Sequence, residues 1–170
     1  MSSKDIRSLF VTGLRDAHAM ENQALSIMKP QAKRIENYPD VQQKLEQHIS
    51  ETEGQLKRLE TVLSDLGENK STLKDAALSV TGGVAALGHT AAPDEILKNS
   101  FANFAFENFE IAAYKSLIAM AEQLGFSGAL PLLQKNLDEE VAMANWLDAN
   151  IGTLTQQYVN LRREGETAKK

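Results

Sequence analysis

The stretch FANFAFENFEIAAYKSLIAMAEQL, residues 101–124, repeats apolar side chains every three or four positions. That spacing matches the 3.6-residue turn of an α-helix, so the apolar side chains share one face. Two acids, Glu107 and Glu110, fall among these apolar positions instead of on the opposite, solvent-facing side. The stretch therefore predicts a long helix that buries carboxylates against its neighbours.

Three further segments have the same helical periodicity, and β-strand patterns are nearly absent. Pro30 is expected to end the first helix, or nearly so, because proline has no N–H and clashes with the preceding turn. Gly67 and Gly125 are natural stops for the second and third helices. The predicted helices cover about residues 4–29, 40–66, 95–124 and 129–160, with a polar tail from about residue 160.

The links between these helices predict their topology. The first link, residues 30–39, and the last, residues 126–128, are short, and short links make antiparallel neighbours. The middle link, residues 67–92, is long enough to run along the bundle and to leave the second and third helices parallel. This long crossover is typical of ferritin-like four-helix bundles. We therefore predict an all-α, ferritin-like four-helix bundle in a single domain of residues 1–170, with a short extra helix at residues 73–87 of the middle link.

The composition excludes several functional classes. The 170 residues include no cysteine, which rules out disulfides, zinc ribbons, cysteine-ligated iron–sulfur clusters and thiol nucleophiles. A net charge of −5 disfavours binding to nucleic acid or to anionic lipid. The N-terminal segment lacks the pattern of a secretory signal, and no stretch is apolar enough to span a bilayer. We predict a cytoplasmic protein that binds neither nucleic acid nor membranes.

Each predicted helix carries a polar side chain in the middle of its inner face. Glu21 interrupts an apolar stripe in the first helix, and Glu140 does the same in the fourth. Counting outward from the two short links places Glu21 level with His48, and Glu110 within one turn of Glu140. These side chains predict one polar layer at the centre of the bundle. Its main members are Glu21, His48, Glu51, Glu110 and Glu140, and its additional or neighbouring candidates are Glu107, Glu139, Gln55 and Tyr114.

Carboxylates crowded at one level need protons or cations between them, because burying an isolated charge costs on the order of several kcal/mol. Oxygen ligands with one imidazole suit iron or manganese, and helical bundles build dinuclear carboxylate centres in this way. Two iron ions, or manganese, are therefore the predicted cofactor. The alternative for any single acid at the edge of its stripe, such as Glu51 or Glu139, is that it reaches solvent. Without metal, the crowding is expected to raise the pKa of Glu21, Glu110 and Glu140.

Several motifs follow one another along the chain. They are Glu21 with Gln23, His48-x-x-Glu51-Thr52-x-x-Gln55, Glu107-x-x-Glu110-Ile111-Ala112-x-Tyr114, AEQLG at residues 121–125, and Leu137-x-Glu139-Glu140. Together they resemble the YciE/YciF-type ferritin-like proteins of bacteria, a family of candidate ferroxidases, over nearly the whole chain. The resemblance implies a four-helix ferritin-like fold, a di-iron centre and a role associated with stress.

The chain departs from the broader ferritin-like pattern at two positions. That pattern places a histidine three residues after the glutamate of the second and fourth helices, where this chain has Gly54 and Met143. His48 is left to supply one imidazole, and Gln55 or water is expected to complete the ligand shell. Such a site is expected to bind iron or manganese, with or without the reactivity of a ferroxidase.

Two functions remain open from the sequence. The first is Fe(II) oxidation or peroxide consumption at a dinuclear site, with O2 or peroxide as the electron acceptor. The second is a non-catalytic structural or interaction protein of the stress response, with a vestigial or purely structural metal site. Apolar residues on more than one side of the third helix, namely Phe106, Phe109 and Met120, predict a homodimer.

Overall fold

The computed structural model describes residues 3–68 and 92–170, which form four long α-helices and no β-strand. None of the described helices is apolar over enough of its length to cross a membrane. The predicted all-α class is confirmed. The helices are α1 (Ser3–Arg34), α2 (Pro39–Asp65), α3 (Glu95–Leu124) and α4 (Leu130–Arg163).

The helices pack as two antiparallel hairpins, α1 with α2 and α3 with α4, and α1 also contacts α3 while α2 contacts α4. Arg34 at the end of α1 binds Glu95 at the start of α3 (2.7 Å). Phe10, near the start of α1, stacks on Phe126, just after α3, with ring centroids 6.1 Å apart. Because α1 and α3 are thus antiparallel, α2 and α3 are parallel, and their connection joins opposite ends of the bundle. The predicted bundle topology is confirmed, whereas the short helix predicted at residues 73–87 lies outside the described residues.

A polar layer lies between two apolar halves of the core. One half contains Phe10 and Leu59, which are completely buried. The other half contains Tyr38 and Leu45, which are almost completely buried. Burying a large apolar side chain of this kind contributes about 1.5–3 kcal/mol, so both halves favour the folded bundle and keep water from the layer between them. The buried polar residues of this layer are Glu21, His48, Thr52, Gln55, Glu107, Glu110, Asn136 and Glu140.

Helix α1 continues through Pro30 to Arg34, so it extends one turn beyond the end predicted at or near Pro30. Proline removes one backbone hydrogen bond, and Pro30 lies on the exposed side of the helix. The next turn is held by tertiary contacts, because Gln31 and Ala32 are buried and Gln31 accepts a hydrogen bond from Asn103 (2.9 Å). Packing therefore outweighs the local preference of proline.

The phenylalanines of α3 divide between the core and the surface. Phe106 is buried within the bundle, so it is not part of a surface available for dimerisation. Phe109 and Phe101 are 58% and 50% exposed. Of the other two residues of the predicted homodimer contact, Phe109 is thus exposed and Met120 is partly buried beside the core.

The segment that follows α4 packs against the end of the bundle formed by the α1–α2 link and the start of α3. Tyr38 Oη donates a hydrogen bond to the carbonyl of Ala168 (2.6 Å), and the backbone N–H of Ile96 donates to the carbonyl of Lys169 (2.9 Å). Ala168 itself is buried. A carbonyl of the C-terminal segment thus pairs with a backbone N–H in the first turn of α3, where no carbonyl of the helix itself is available.

Deleting residues 164–170 is expected to lower the Tm by about 5–10 °C. Each hydrogen bond lost contributes roughly 1 kcal/mol, and an unpaired buried hydroxyl costs about 1–3 kcal/mol more. A loss of about 2–4 kcal/mol corresponds to this shift for a chain of this size. Thermal unfolding followed by circular dichroism measures it, with Tyr38→Phe as a partial variant that loses only the bond to Ala168. An unchanged Tm after the deletion would mean that these contacts do not stabilise the bundle.

Candidate metal centre

His48 of α2 lies at the centre of the polar layer. Its Nε2 atom is 3.2 Å from Glu107 Oε2 and 3.4 Å from Glu140 Oε2. Its Nδ1 atom is 3.1 Å from Glu51 Oε2. One imidazole ring therefore joins α2, α3 and α4 through three carboxylates. Ligand atoms of His48, Glu107 and Glu140 all lie within 4.8 Å of one another, so these three side chains could hold a metal ion.

Two neutral side chains anchor the carboxylates of α1 and α4. Tyr114 Oη donates a hydrogen bond to Glu21 Oε1 (2.5 Å), and Gln55 Nε2 donates one to Glu140 Oε1. The other oxygen of Glu21, Oε2, is buried without a hydrogen-bond donor, and Oε2 of Glu140 is buried with only its contact to His48 Nε2. Each carboxylate is thus held through one oxygen and leaves the second available to a ligand.

Both carboxylate oxygens of Glu110 in α3 lack a hydrogen-bond partner among the described residues, and the side chain is almost completely buried. Gln55 Oε1 is also buried and unpaired. Buried polar atoms in proteins are nearly always paired, so a group of unpaired acceptors with no unpaired donor in the same layer is unusual. The residues that contribute these acceptors are Glu21, Gln55 and Glu110, while the Oε2 atoms of Glu107 and Glu140 have only their contact with His48 Nε2.

Burial and mutual repulsion favour the protonated form of three acids in the metal-free protein. Burial raises the pKa of Glu21 well above its ordinary value, and the charge of Glu140 raises it further. Burial and the charge of Glu21 do the same to the pKa of Glu110. Burial raises the pKa of Glu107 to about 8, against the opposing effect of a hydrogen bond with His48. The predicted direction for Glu21 and Glu110 therefore agrees with the structure.

His48 and Glu140 behave as an ion pair instead. Burial disfavours the charged imidazole, but hydrogen bonds with Glu107, Glu140 and Glu51 raise the pKa of His48 well above its ordinary value. Burial likewise opposes ionisation of Glu140, yet hydrogen bonds, that from His48 above all, hold its pKa below the ordinary value. The predicted rise for Glu140 is wrong, because a cationic partner lies next to it.

The donor set of this layer fits a hard divalent cation. Several carboxylate oxygens, one amide oxygen and one imidazole nitrogen are the ligands that iron and manganese accept in proteins. A cation at this place would satisfy the unpaired acceptors and would displace the protons that Glu21, Glu107 and Glu110 otherwise hold. The residues present therefore fit a carboxylate-rich metal centre.

Two predicted candidates lie at the edge of the layer. Glu51 is 23% exposed and binds the Nδ1 side of His48, and a hydrogen bond with that ring lowers the pKa of Glu51. Carboxylates commonly orient metal-binding histidines in this way. Glu139 is paired instead, because it accepts a hydrogen bond from Arg58 and lies 3.3 Å from Lys135 Nζ. It is therefore not one of the unpaired acceptors.

Comparison with known proteins identifies the family. The sequence profile described as "Domain of unknown function (DUF892)" matches residues 5–160. This chain belongs to the DUF892 family. It is 29% identical to Protein YciF of Escherichia coli K12, and the alignment covers 98% of this chain and 99% of YciF. The resemblance to YciE/YciF-type proteins is thus confirmed.

Solved structures share the fold of this DUF892 chain. A protein from Xanthomonas campestris is 28% identical and superposes with a TM-score of 0.78, covering 93% of this chain and 99% of that one. The Escherichia coli stress protein YciF, 24% identical in its structural alignment, superposes with a TM-score of 0.65, covering 86% of this chain and 94% of that one. The four-helix bundle is therefore the common architecture.

Sequence reasoning missed two polar residues of this DUF892 site, Asn136 and Arg58. Asn136 is completely buried and contacts Tyr114 and the backbone of Gln55. Its position one turn before Glu140, on the same face of α4, indicates that it belongs to the inner face of the bundle. Arg58 stands three residues after Gln55, on the same side of α2.

Proposed function

We propose that this DUF892 protein is a dinuclear carboxylate metalloprotein that binds two iron ions and oxidises Fe(II) with O2 or peroxide, with manganese as the alternative metal. The observation that carries the proposal is the group of buried, unpaired acceptor atoms around His48. Each ionised carboxylate in such a place costs on the order of several kcal/mol unless a cation compensates it. Iron bound there would supply the electrons that reduce O2 or peroxide.

The residues of the layer have distinct roles in this proposal. His48 offers Nε2 as the imidazole ligand, while Glu51 holds the opposite side of the ring. Glu107 and Glu140 flank Nε2, and Glu21 and Glu110 supply the remaining carboxylates. Gln55 contributes an unpaired amide oxygen. The apolar halves of the core limit the access of water, which keeps reactive oxygen products away from solvent.

The wider context of the proposal follows from the relatives and from the surface. The similarity to YciF, a stress protein in Escherichia coli, supports a role in the stress response. The exposed rings of Phe101 and Phe109 support a homodimer. A cytoplasmic location remains a prediction from the sequence.

Aerobic Fe(II) oxidation tests the proposed reaction. The protein is expected to oxidise Fe(II) faster than buffer alone, and His48→Gln or Glu110→Gln should lower that rate by about 10–100-fold because each alters the metal's surroundings. The measurement is the appearance of ferric absorbance with O2 or with peroxide. Glu53→Gln is the control, since Glu53 lies on the outer face of α2 and pairs with Lys29. A protein that binds iron but accelerates neither reaction would instead have a structural metal site.

A further inference from the structure

One chain of hydrogen bonds crosses all four helices and ends on Glu21. Arg58 of α2 donates from Nε to Asn136 Oδ1 of α4. Asn136 Nδ2 donates to Tyr114 Oη of α3 (2.9 Å), and Tyr114 Oη donates to Glu21 Oε1 of α1 (2.5 Å). Asn136, Tyr114 and Glu21 are completely buried, whereas the Arg58 side chain is 16% exposed. The chain therefore leads from a cation near the surface to a buried carboxylate.

The direction of these hydrogen bonds is determined by the chemistry of the end groups. A guanidinium has only donors, so the atom of Asn136 that faces Arg58 must be the amide oxygen. A backbone carbonyl has only acceptors, and the Asn136 nitrogen also faces the carbonyl of Gln55 (3.4 Å). Tyr114 Oη thus receives a hydrogen bond from Asn136 and has its own hydrogen for Glu21. Arg58 and the carbonyl of Gln55 together set the direction of donation, and the contact of Arg58 with Asn136 is the shorter of the two.

Gly54 and Glu139 lie on either side of the Arg58 guanidinium. Gly54 lies one turn before it, and a Cβ at that position would be only 3.3 Å from Arg58 Nη1. Glycine is unfavourable inside a helix, and at this position the absence of a Cβ leaves room for the guanidinium. Gly54 is also where the ferritin-like pattern has its histidine, and the guanidinium occupies the space beside it. On the other side, Glu139 binds Arg58 Nη2.

We propose that Arg58 is a positioning residue of the metal centre, which acts through Asn136 and Tyr114 to hold Glu21 by Oε1 and leave Oε2 free for the metal. This inference rests on the proposed metal binding at Glu21. Without Arg58, only the long contact with the Gln55 carbonyl (3.4 Å) holds the Asn136 amide, so the amide can turn and Tyr114 can then donate to its oxygen instead of to Glu21. Glu21 loses its anchor, and the metal loses an oriented ligand.

Metal affinity distinguishes this role from a simple charge effect, because the two predict opposite signs. Removing a nearby positive charge should strengthen the binding of a divalent cation by Coulomb's law. Removing a positioning residue should weaken it, and substitutions of residues that orient metal ligands typically cost 10–100-fold in affinity. A purely structural role would lower the Tm and leave the affinity unchanged.

The experiment measures Mn(II) affinity by titration calorimetry or electron paramagnetic resonance. Arg58→Gln and Tyr114→Phe are each expected to weaken binding by about 10–100-fold. The double variant should be no weaker than the worse single variant, since both act through one hydrogen bond to Glu21. Lys135→Gln, which removes a cation that contacts Glu139 but not the chain, is the control and should bind within about twofold of the wild type.

Two results would overturn the inference while the proposed function stands: an Arg58→Gln protein that binds Mn(II) as tightly as the wild type, or losses that multiply in the double variant. Tm values of the metal-free variants give a second measurement. The decrease in the double variant should be smaller than the sum of the single decreases, and additive decreases would mean that Arg58 and Tyr114 are not coupled. A wild-type protein that binds neither Mn(II) nor Fe(II) would overturn the proposed function itself.

Discussion

Replacing Glu21 or Glu140 by alanine is expected to lower the metal content of the protein from about two ions per chain to less than one. Both glutamates are completely buried, on opposite hairpins; Oε2 of Glu21 has no donor, and Oε2 of Glu140 contacts only His48 Nε2. Water cannot replace either carboxylate without an additional charge, so the loss should exceed the roughly 10–100-fold that substitutions around metal ligands produce. The measurement is elemental analysis after growth in iron-replete medium and purification without chelator.

Two further variants make this experiment specific. Glu53→Ala removes an exposed glutamate of α2 and should leave the metal content unchanged. Glu21→Gln keeps the volume and an acceptor for Tyr114 but removes the charge, so it should lose metal while the Tm of the metal-free protein changes little. If two ions remain bound in both Glu21→Ala and Glu140→Ala, the metal lies elsewhere and the assignment of this layer is wrong.

The metal-free protein is expected to lose stability as the pH rises from 5 to 8. Burial raises the pKa of Glu107 to about 8 from an ordinary value near 4.5, and it raises the pKa of Glu21 and Glu110 in the same direction. A raised carboxyl pKa means that the folded state binds more protons, so this stability is complete below the unfolded pKa and is lost as the pH rises through the folded pKa. The raised pKa of His48 likewise contributes stability that is lost as the pH rises above its ordinary value of 6.5.

The size of this effect follows from one carboxyl group. Over two pH units between its unfolded and folded pKa, such a group lowers the free energy of unfolding by about 2.7 kcal/mol. This loss corresponds to a decrease of roughly 5–10 °C in Tm for a chain of this length. Fe(II) or Mn(II) should reverse the trend, because metal binds the deprotonated ligands and stabilises only the folded state. The gap in Tm between metal-loaded and metal-free protein should therefore widen from pH 5 to pH 8.

Glu110→Gln provides the matched variant for this prediction. Glutamine imitates the protonated acid, so the Tm of the metal-free variant should depend less on pH, and its response to Mn(II) should be weaker. The lowered pKa values of Glu140 and Glu51 do not affect this comparison. The stability that these two groups contribute to the fold is lost only as the pH falls below about 4.5. A metal-free wild type with the same Tm at pH 5 and pH 8, and no shift with Mn(II), would mean that the buried acids are otherwise compensated.

The sequence by itself determined the helices, their topology and the polar character of the layer. Helical periodicity is local, so an acid at Glu21 or Glu140 in the middle of an apolar stripe could be assigned to the inner face from spacing alone. The lengths of the links then made two antiparallel hairpins and one long crossover the simplest arrangement. The layer therefore followed from counting residues along four straight elements.

Only the tertiary structure decided which partner each side chain has. Pro30 stays inside α1 because buried residues follow it, Glu140 is ionised because His48 lies beside it, and Glu139 is held by Arg58. Tyr114 reaches Glu21 through a direction of donation that begins at Arg58, on another helix. Hydrogen bonds depend on differences of a few tenths of an ångström between atoms on different helices, and such distances arise from the packing of the whole bundle.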